Sequence, residues 1–316
     1  MRRRIAAYLV LAAAAALSPS TARAEAWVLA PGEFTWDVRG SLFSADDFHG
    51  TSGDRATLTL GGLHEQRTLR LGGEVGWKKR VAFFAHAPIV SATRRLGDGG
   101  EWTDTGFGDL VTGLRLQLGA RGASALALEA SWKAPLGYST ALRVPRSYAA
   151  DLEADLGAGL EPADRIHLVR NAAPPRFGDG QQDLQGLLWW GAALPGVSGV
   201  VELGGGYRAR LDAPADQMLG RARLGLWLGG SLLVAGLYEG EIAAGDGDTP
   251  ADEITQHLAG PLVVWRVDDG IDVFAGSLHT AAAENALHRD QFYAGLALRQ
   301  SGLHRLQGLT GTTKRP

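Results

Sequence analysis

Along most of its length this chain alternates apolar and polar residues with a period of two, in stretches of about ten residues closed by turn residues. In the first, Phe34, Trp36, Val38, Gly40 and Leu42 share one face, and Thr35, Asp37, Arg39 and Ser41 share the other. Leu69, Leu71, Gly73, Val75 and Trp77 likewise oppose Arg70, Gly72, Glu74 and Gly76. Val81, Phe83, Ala85, Ala87 and Ile89 oppose Ala82, Phe84 and His86. The pattern returns with Leu114 and Leu116 against Arg115, and with Leu128 and Trp132 against Glu129 and Lys133. Further on, Leu203 and Tyr207 oppose Glu202, Arg208 and Arg210, while Leu224 and Leu226 share a phase opposite Arg221 and Arg223. Phe292, Leu296 and Leu298 oppose Tyr293 and Arg299. Such a chain folds as strands, and its charges gather on one side of the sheet.

Two uncharged segments test the helical alternative. Residues 184–201 and 224–238 carry no charge, but Pro195-Gly196-Val197-Ser198-Gly199 breaks the first and Gly229-Gly230-Ser231 the second. Turn residues in mid-segment make each of them parts of two strands, each near the 9–11 residues that a tilted strand needs to cross a bilayer. The 44 glycines weigh against helices too, at roughly 1 kcal/mol per interior position relative to alanine. The absence of cysteine excludes disulfide scaffolds, thiolate zinc sites and cysteine nucleophiles.

At the amino terminus Arg2, Arg3 and Arg4 precede an apolar stretch, residues 5–17, and Ala22-Arg23-Ala24 has the small-x-small form of a cleavage site. Residues 1–24 read as a secretory signal peptide, too short to be a roughly 20-residue anchor. Removing its four arginines leaves 27 basic residues against 34 acidic ones, a net charge of −7. An acidic exported chain is a poor ligand for nucleic acid. The expected layout is signal peptide 1–24, barrel 25–300 and a polar tail 301–316.

Tight turns are expected at Trp77-Lys78-Lys79-Arg80, Gly119-Ala120-Arg121-Gly122 and Val267-Asp268-Asp269-Gly270. The opposite connections, residues 45–56, 94–106, 212–217, 243–253 and 281–289, are longer and polar. Short turns on one rim and long loops on the other are the asymmetry of an outer-membrane barrel. Residues 148–160 fit either an amphipathic helix or an alternating strand. The strand reading, with a hairpin at Glu161-Pro162-Ala163-Asp164, is the one adopted and makes about fourteen strands; the alternative, leaving it out, makes twelve.

A soluble sandwich also alternates, so alternation alone does not separate it from a membrane barrel. What separates them is the run of consecutive hairpins and the charges at alternate positions, such as Arg208 with Arg210, Arg221 with Arg223, and Glu239 with Glu241. In lipid the ring must close, since each unpaired edge group costs several kcal/mol. The reading is all-β: a closed antiparallel up-and-down transmembrane barrel. Trp36, Trp77 and Trp132 fall on its apolar face near predicted strand ends, where interface belts lie.

Four motifs come in order: GFGDLVTGLRLQL (106–118), KAPLGYS (133–139), FGDGQQDLQGLLWWGAAL (177–194) and GGGYRARLDAPADQ (204–217). Together they resemble the outer-membrane proteins grouped with the meta-pathway phenol-degradation transporters, more distantly similar to long-chain fatty-acid channels. That resemblance implies a monomeric barrel passing small, often apolar or aromatic compounds, with outer-membrane lipids and the barrel assembly machinery as partners. Outer-membrane barrels generally end on a strand with a terminal aromatic residue, whereas this chain ends Thr312-Thr313-Lys314-Arg315-Pro316.

No enzyme motif is evident: there is no His-Glu-x-x-His, phosphate loop or Gly-x-Ser-x-Gly. Gly204-Gly205-Gly206 sits inside a strand and cannot open a helix onto a phosphate. The eight histidines lack paired ligand spacing, so no metal or cofactor is expected. His86 is expected to face the lumen as a hydrogen-bonding group. Asp246, Asp248, Asp252 and Glu253 read as a solvated loop without the full EF-hand pattern. Ser277 and His279, at i and i+2, share one face of a strand, a spacing that some barrel lipid hydrolases use. A third, orienting group is needed, and Glu284 and Asn285 lie nearby in sequence.

The expected function is passive uptake of small molecules through the lumen. The alternatives are lipid hydrolysis at Ser277 and His279, or a structural or adhesive barrel with a closed lumen. The inward charges expected to select solutes are Asp37, Arg39, Arg70, Glu74, Arg115, Glu129, Lys133, Glu202, Arg208, Arg210, Arg221, Arg223, Glu239, Glu241 and Arg299. Phe84, Trp189 and Tyr293 are the candidate aromatic constriction.

Overall fold

The computed structural model describes residues 26–58, 62–95, 100–136, 181–194, 196–211, 215–245 and 253–300. The expected signal peptide, polar tail and 148–170 segment lie outside them. Among the described residues there are sixteen strands: β1 (Phe34–Ala45), β2 (Asp47–His49), β3 (Arg55–Thr57), β4 (Leu63–Lys78), β5 (Val81–Arg95), β6 (Glu101–Phe107), β7 (Asp109–Arg121), β8 (Ser124–Pro135), β9 (Asp183–Leu194), β10 (Gly199–Arg210), β11 (Gln217–Leu228), β12 (Leu232–Ala243), β13 (Thr255–Asp268), β14 (Ile271–Glu284), β15 (Ala286–Leu287) and β16 (Asp290–Gln300).

Twelve of them form one closed antiparallel ring, in the order β1, β4, β5, β7, β8, β9, β10, β11, β12, β13, β14, β16 and back to β1. Closure pairs Phe34 with Gln300 and Ser44 with Asp290. Because β8 pairs directly with β9, from Ser124–Ala192 to Lys133–Asp183, the ring closes without residues 148–170. The ring count is therefore twelve, the alternative to the fourteen expected. A closed ring leaves no strand edge, which is the condition for placing a sheet in hydrocarbon.

The alternation has the expected hand. Adjacent tryptophans on β9 divide: Trp190 is 39% exposed and Trp189 only 8%. Trp36 and Trp77 are 60% and 56% exposed, and the outer surface is paved with Val38, Leu69, Leu71, Leu203, Leu224 and Val263. Charged partners such as Glu129, Glu202 and Arg115 are buried on the opposite face. A band of exposed leucine, valine and tryptophan around a closed barrel is stable against acyl chains, not against water.

The tight turns share a rim with the start of β1 and the end of β16. At one of them Gly229 and Gly230 adopt φ of 60° and 80°, left-handed values that a side chain would strain. The other rim differs from the sequence reading in two ways. The expected loop 94–106 contains β6, which pairs with the far end of β5, so this hairpin extends past the ring. The expected loops 45–56 and 281–289 contain β2, β3 and β15, which form a separate three-stranded sheet over that rim. These strands are two or three residues long, too short to show any alternation.

Candidate functional site

Inside the ring the anticipated charges meet as opposites. Arg115 on β7 lies between Glu74 on β4 at 3.1 Å and Glu129 on β8 at 2.8 Å. Trp189 donates its indole N–H to the same Glu129 oxygen at 3.1 Å, and the Arg115 guanidinium sits 5.5 Å from the Phe84 ring centroid. Phe84 and Trp189 are thus joined through one buried ion cluster. Next to it, Lys133 reaches Asp183 at 2.6 Å.

Around the ring, Glu241 lies 3.3 Å from both Arg208 and Arg221, and Arg221 is 3.4 Å from Glu239. Arg208 and Arg210 both donate to the side-chain oxygen of Gln217, at 2.7 and 3.2 Å. Glu202 pairs with Arg223 at 2.7 Å. On the closing side Asp37 takes Arg70 at 3.2 Å and lies 4.0 Å from His86. Arg39 stacks over Tyr293 with 3.8 Å to the centroid, and Arg299 lies 3.7 Å from Asp272. Tyr293 stands apart from Phe84 and Trp189, in a second apolar cluster with Trp227, Leu233, Leu258, Leu262 and Leu278. Inward leucines and aromatics therefore share the lumen with the ions, whereas the sequence reading placed nearly all leucines outside.

Several inward residues escaped the sequence reading. Asp183, Asp272 and Arg266 are among them, with Arg266 bound to Asp272 at 3.0 Å and stacked 4.7 Å from the Trp227 centroid. The phase of Trp265 and Val273 would have found the last two.

The larger omission is a segment inside the barrel. Residues 26–29 run from the foot of β1 across the lumen, and Ala26 N–H donates to Glu202 Oε1 on β10 at 3.2 Å. In the ring β10 is six strands from β1, on the opposite wall. Gly76 lets the backbone at Ala30 pass close by, and Gly191 seats the Trp27 ring; a Cβ at either position would overlap its neighbour. Trp27 packs against both apolar clusters, and Ala26 is fully buried. The lumen is thus crossed near one rim by the chain's own N-terminal segment.

The outer wall holds one further arrangement. Ser277 Oγ and His279 Nε2 are 3.0 Å apart, and His279 Nδ1 is 2.7 Å from Asp290 Oδ1. Glu284 and Asn285, the partners near in sequence, do not take this role. The third group comes from β16, through the register that sets His279 beside Asp290.

Among the described residues no group of three or more His, Asp or Glu side chains is placed to hold a metal ion. Asp246, Asp248 and Asp252 lie outside those residues. No family model matches this sequence. No curated protein matches it either. Solved structures do match in fold. The COG4313 outer membrane channel from Pseudomonas putida F1 superposes with a TM-score of 0.63 at 10% identity, over 87% of this chain and 98% of that one. The translocator domain of the autotransporter NalP from Neisseria meningitidis gives 0.47 at 12%, over 95% and 96% of the two chains. The CymD monoaromatic hydrocarbon channel gives 0.40 at 8%, over 91% and 92%. This chain has the outer-membrane barrel fold.

Proposed function

We propose that this protein is a passive outer-membrane channel for small, partly apolar or aromatic solutes. The single observation behind this reading is the mixed lumen, in which Phe84, Trp189, Trp227 and Tyr293 each lie beside an arginine or a carboxylate. Such a wall offers an aromatic solute ring faces to slide on and offers its polar substituents fixed charges. No covalent step is needed for passage, and no cofactor takes part. The motif resemblance to phenol-degradation transporters and the fold shared with the COG4313 channel point the same way. The partners in this reading are outer-membrane lipids, the assembly machinery and the solute.

The segment 26–29 lends weight to a second reading, a structural barrel with a permanently closed lumen. Planar-bilayer conductance and liposome uptake of phenol or benzoate, against a sugar of similar size, separate the two. A channel passes ions and favours the aromatic solutes. A folded barrel passing none of them, with or without residues 26–29, overturns the transport reading.

A further inference from the structure

The geometry points to a second site on the opposite face of the wall: Ser277, His279 and Asp290 form a serine hydrolase triad that faces the bilayer and cleaves fatty acyl esters of phosphate-bearing lipids. The site does not depend on solute passage. Ser277 pairs in register with Phe292, which is 57% exposed on the outer surface, and the His279 ring stands edge-on to Phe292 at 5.6 Å. The His279 and Asp290 side chains are 44% and 52% exposed. Asp290 is the first residue of β16, so the triad lies at the long-loop rim, where the ester linkages of the outer leaflet meet the strands.

The roles follow from the two hydrogen bonds. A carboxylate only accepts, so His279 Nδ1–H donates to Asp290, and Nε2 is left to accept from the Ser277 hydroxyl. That is the tautomer a general base requires. Ser277 Oγ attacks the ester carbonyl carbon while its proton passes to Nε2. The tetrahedral intermediate expels the lipid alkoxide, which takes that proton and leaves as the alcohol. Water, deprotonated by the same imidazole, then cleaves the acyl-serine, releasing the fatty acid and restoring the hydroxyl.

A second observation supplies the substrate. Beside Ser277 the outer wall is hollowed into a groove of about 680 Å³, within the range of small-ligand sites. Its floor is made of small residues, Gly40, Ala275 and Ala294, and Leu42, Ile89 and Phe292 wall it. These are neighbours in register, Ala275 with Ala294 and Ala294 with Gly40, so the hollow comes from three small residues in one row. An acyl chain fits such a hollow. The row above runs Ser277, Phe292, Leu42, Arg67, which sets Arg67 three strand spacings away, about 14 Å. Arg67 also lines the groove and is exposed, a cation at headgroup level that suits a lipid phosphate.

The test uses the purified, detergent-folded full chain. Its substrates are mixed micelles of phosphatidylglycerol in one arm and lipopolysaccharide in the other. Fatty acid release is expected in at least one arm, and the active arm identifies the lipid. Ser277→Ala and His279→Ala are expected to lower the rate on the order of 10³-fold or more. A fluorophosphonate probe should label wild type and not Ser277→Ala. Asp290 acts through His279 as a positioning residue: Asp290→Asn is expected to move the ascending limb of the pH–rate profile to lower pH, and Asp290→Glu to restore it. Wild type with native heat-modifiability that releases no more fatty acid than Ser277→Ala and takes no label overturns the proposal.

Discussion

The indole N–H of Trp189 donates to the same Glu129 oxygen that accepts from Arg115, at 3.1 Å and 2.8 Å. Glu129 therefore joins an aromatic wall residue to the buried Arg115, across three neighbouring strands. Removing it takes from Arg115 its 2.8 Å carboxylate partner and deprives the indole of its acceptor. Breaking a buried ion pair from one side costs roughly 3–5 kcal/mol. Glu129→Ala is expected to lower the unfolding midpoint on unboiled gels sharply. Trp189→Phe, which loses one hydrogen bond to a charged group, should cost less, about 1.5–3 kcal/mol. An unchanged midpoint in Glu129→Ala would show that the cluster is not holding the wall together.

The N-terminal segment makes a prediction about flow. Ala26 and Trp27 reach the far wall through one hydrogen bond to Glu202 and a seat at Gly191. A shortened chain starting at residue 30 loses both and should conduct several-fold more than the chain that keeps residues 26–29. Trp27→Ala should lie between the two. Equal single-channel conductance for all three would mean that the narrowest point lies elsewhere, among the ion clusters.

How far the sequence could be read follows from what imposes a pattern on it. Lipid contact requires an apolar residue at every second position, so Trp36, Leu69 and Leu224 declare the wall and its outer face. Their inward neighbours follow by phase, and most charges of β1, β4, β7, β8 and β10–β12 were accessible for that reason. Asp290 was not, because the pairing of one strand with the next is invisible within either. Glu284 and Asn285, nearer to His279 in sequence, were the natural but mistaken candidates. The segment 26–29 escaped because it crosses the lumen as irregular chain and has no alternation. Inward leucines such as Leu233 and Leu278 were hidden because a filled lumen permits apolar residues on both faces.

The sheet of β2, β3 and β15 should respond to pH. His49 Nε2 and His288 Nδ1 are 3.1 Å apart, and His288 N–H donates to the Asp47 carbonyl at 2.9 Å. Burial, followed by the nearby Arg55 charge, holds the His288 imidazole below its ordinary value of 6.5. A histidine whose folded value is depressed stabilises its surroundings above the unfolded value, and that contribution fades as pH falls through the folded one. A protonated His288 could also no longer accept at Nδ1 from His49. The protection of the amides of residues 47–49, corrected for intrinsic exchange, should fall as pH drops below the ordinary histidine value of 6.5 and recover at neutral pH. His288→Gln should flatten this dependence, and wild-type protection that is insensitive to acid would remove the histidine pair as its cause.

Gly204, Gly205 and Gly206 adjoin on β10, but their surroundings differ. A Cβ on Gly205 would point outward and meet nothing within 4 Å. One on Gly204 would press on the Trp189 ring, 2.6 Å from its nearest carbon, and one on Gly206 would overlap the backbone carbonyl of Gly186 across the strand pair. A ring edge can tilt, but a carbonyl fixed between strands cannot move without disturbing the ladder. Overpacking of this kind costs typically about 1–3 kcal/mol. The expected order of heat stability is therefore wild type and Gly205→Ala together, then Gly204→Ala, then Gly206→Ala. Gly204→Ala should also disturb the Trp189 indole, seen as a shift in tryptophan emission that Gly205→Ala does not produce. Equal stability of all three variants would mean that β10 is free to shift against β9, and the inward placement of Glu202, Arg208 and Arg210 would lose its support.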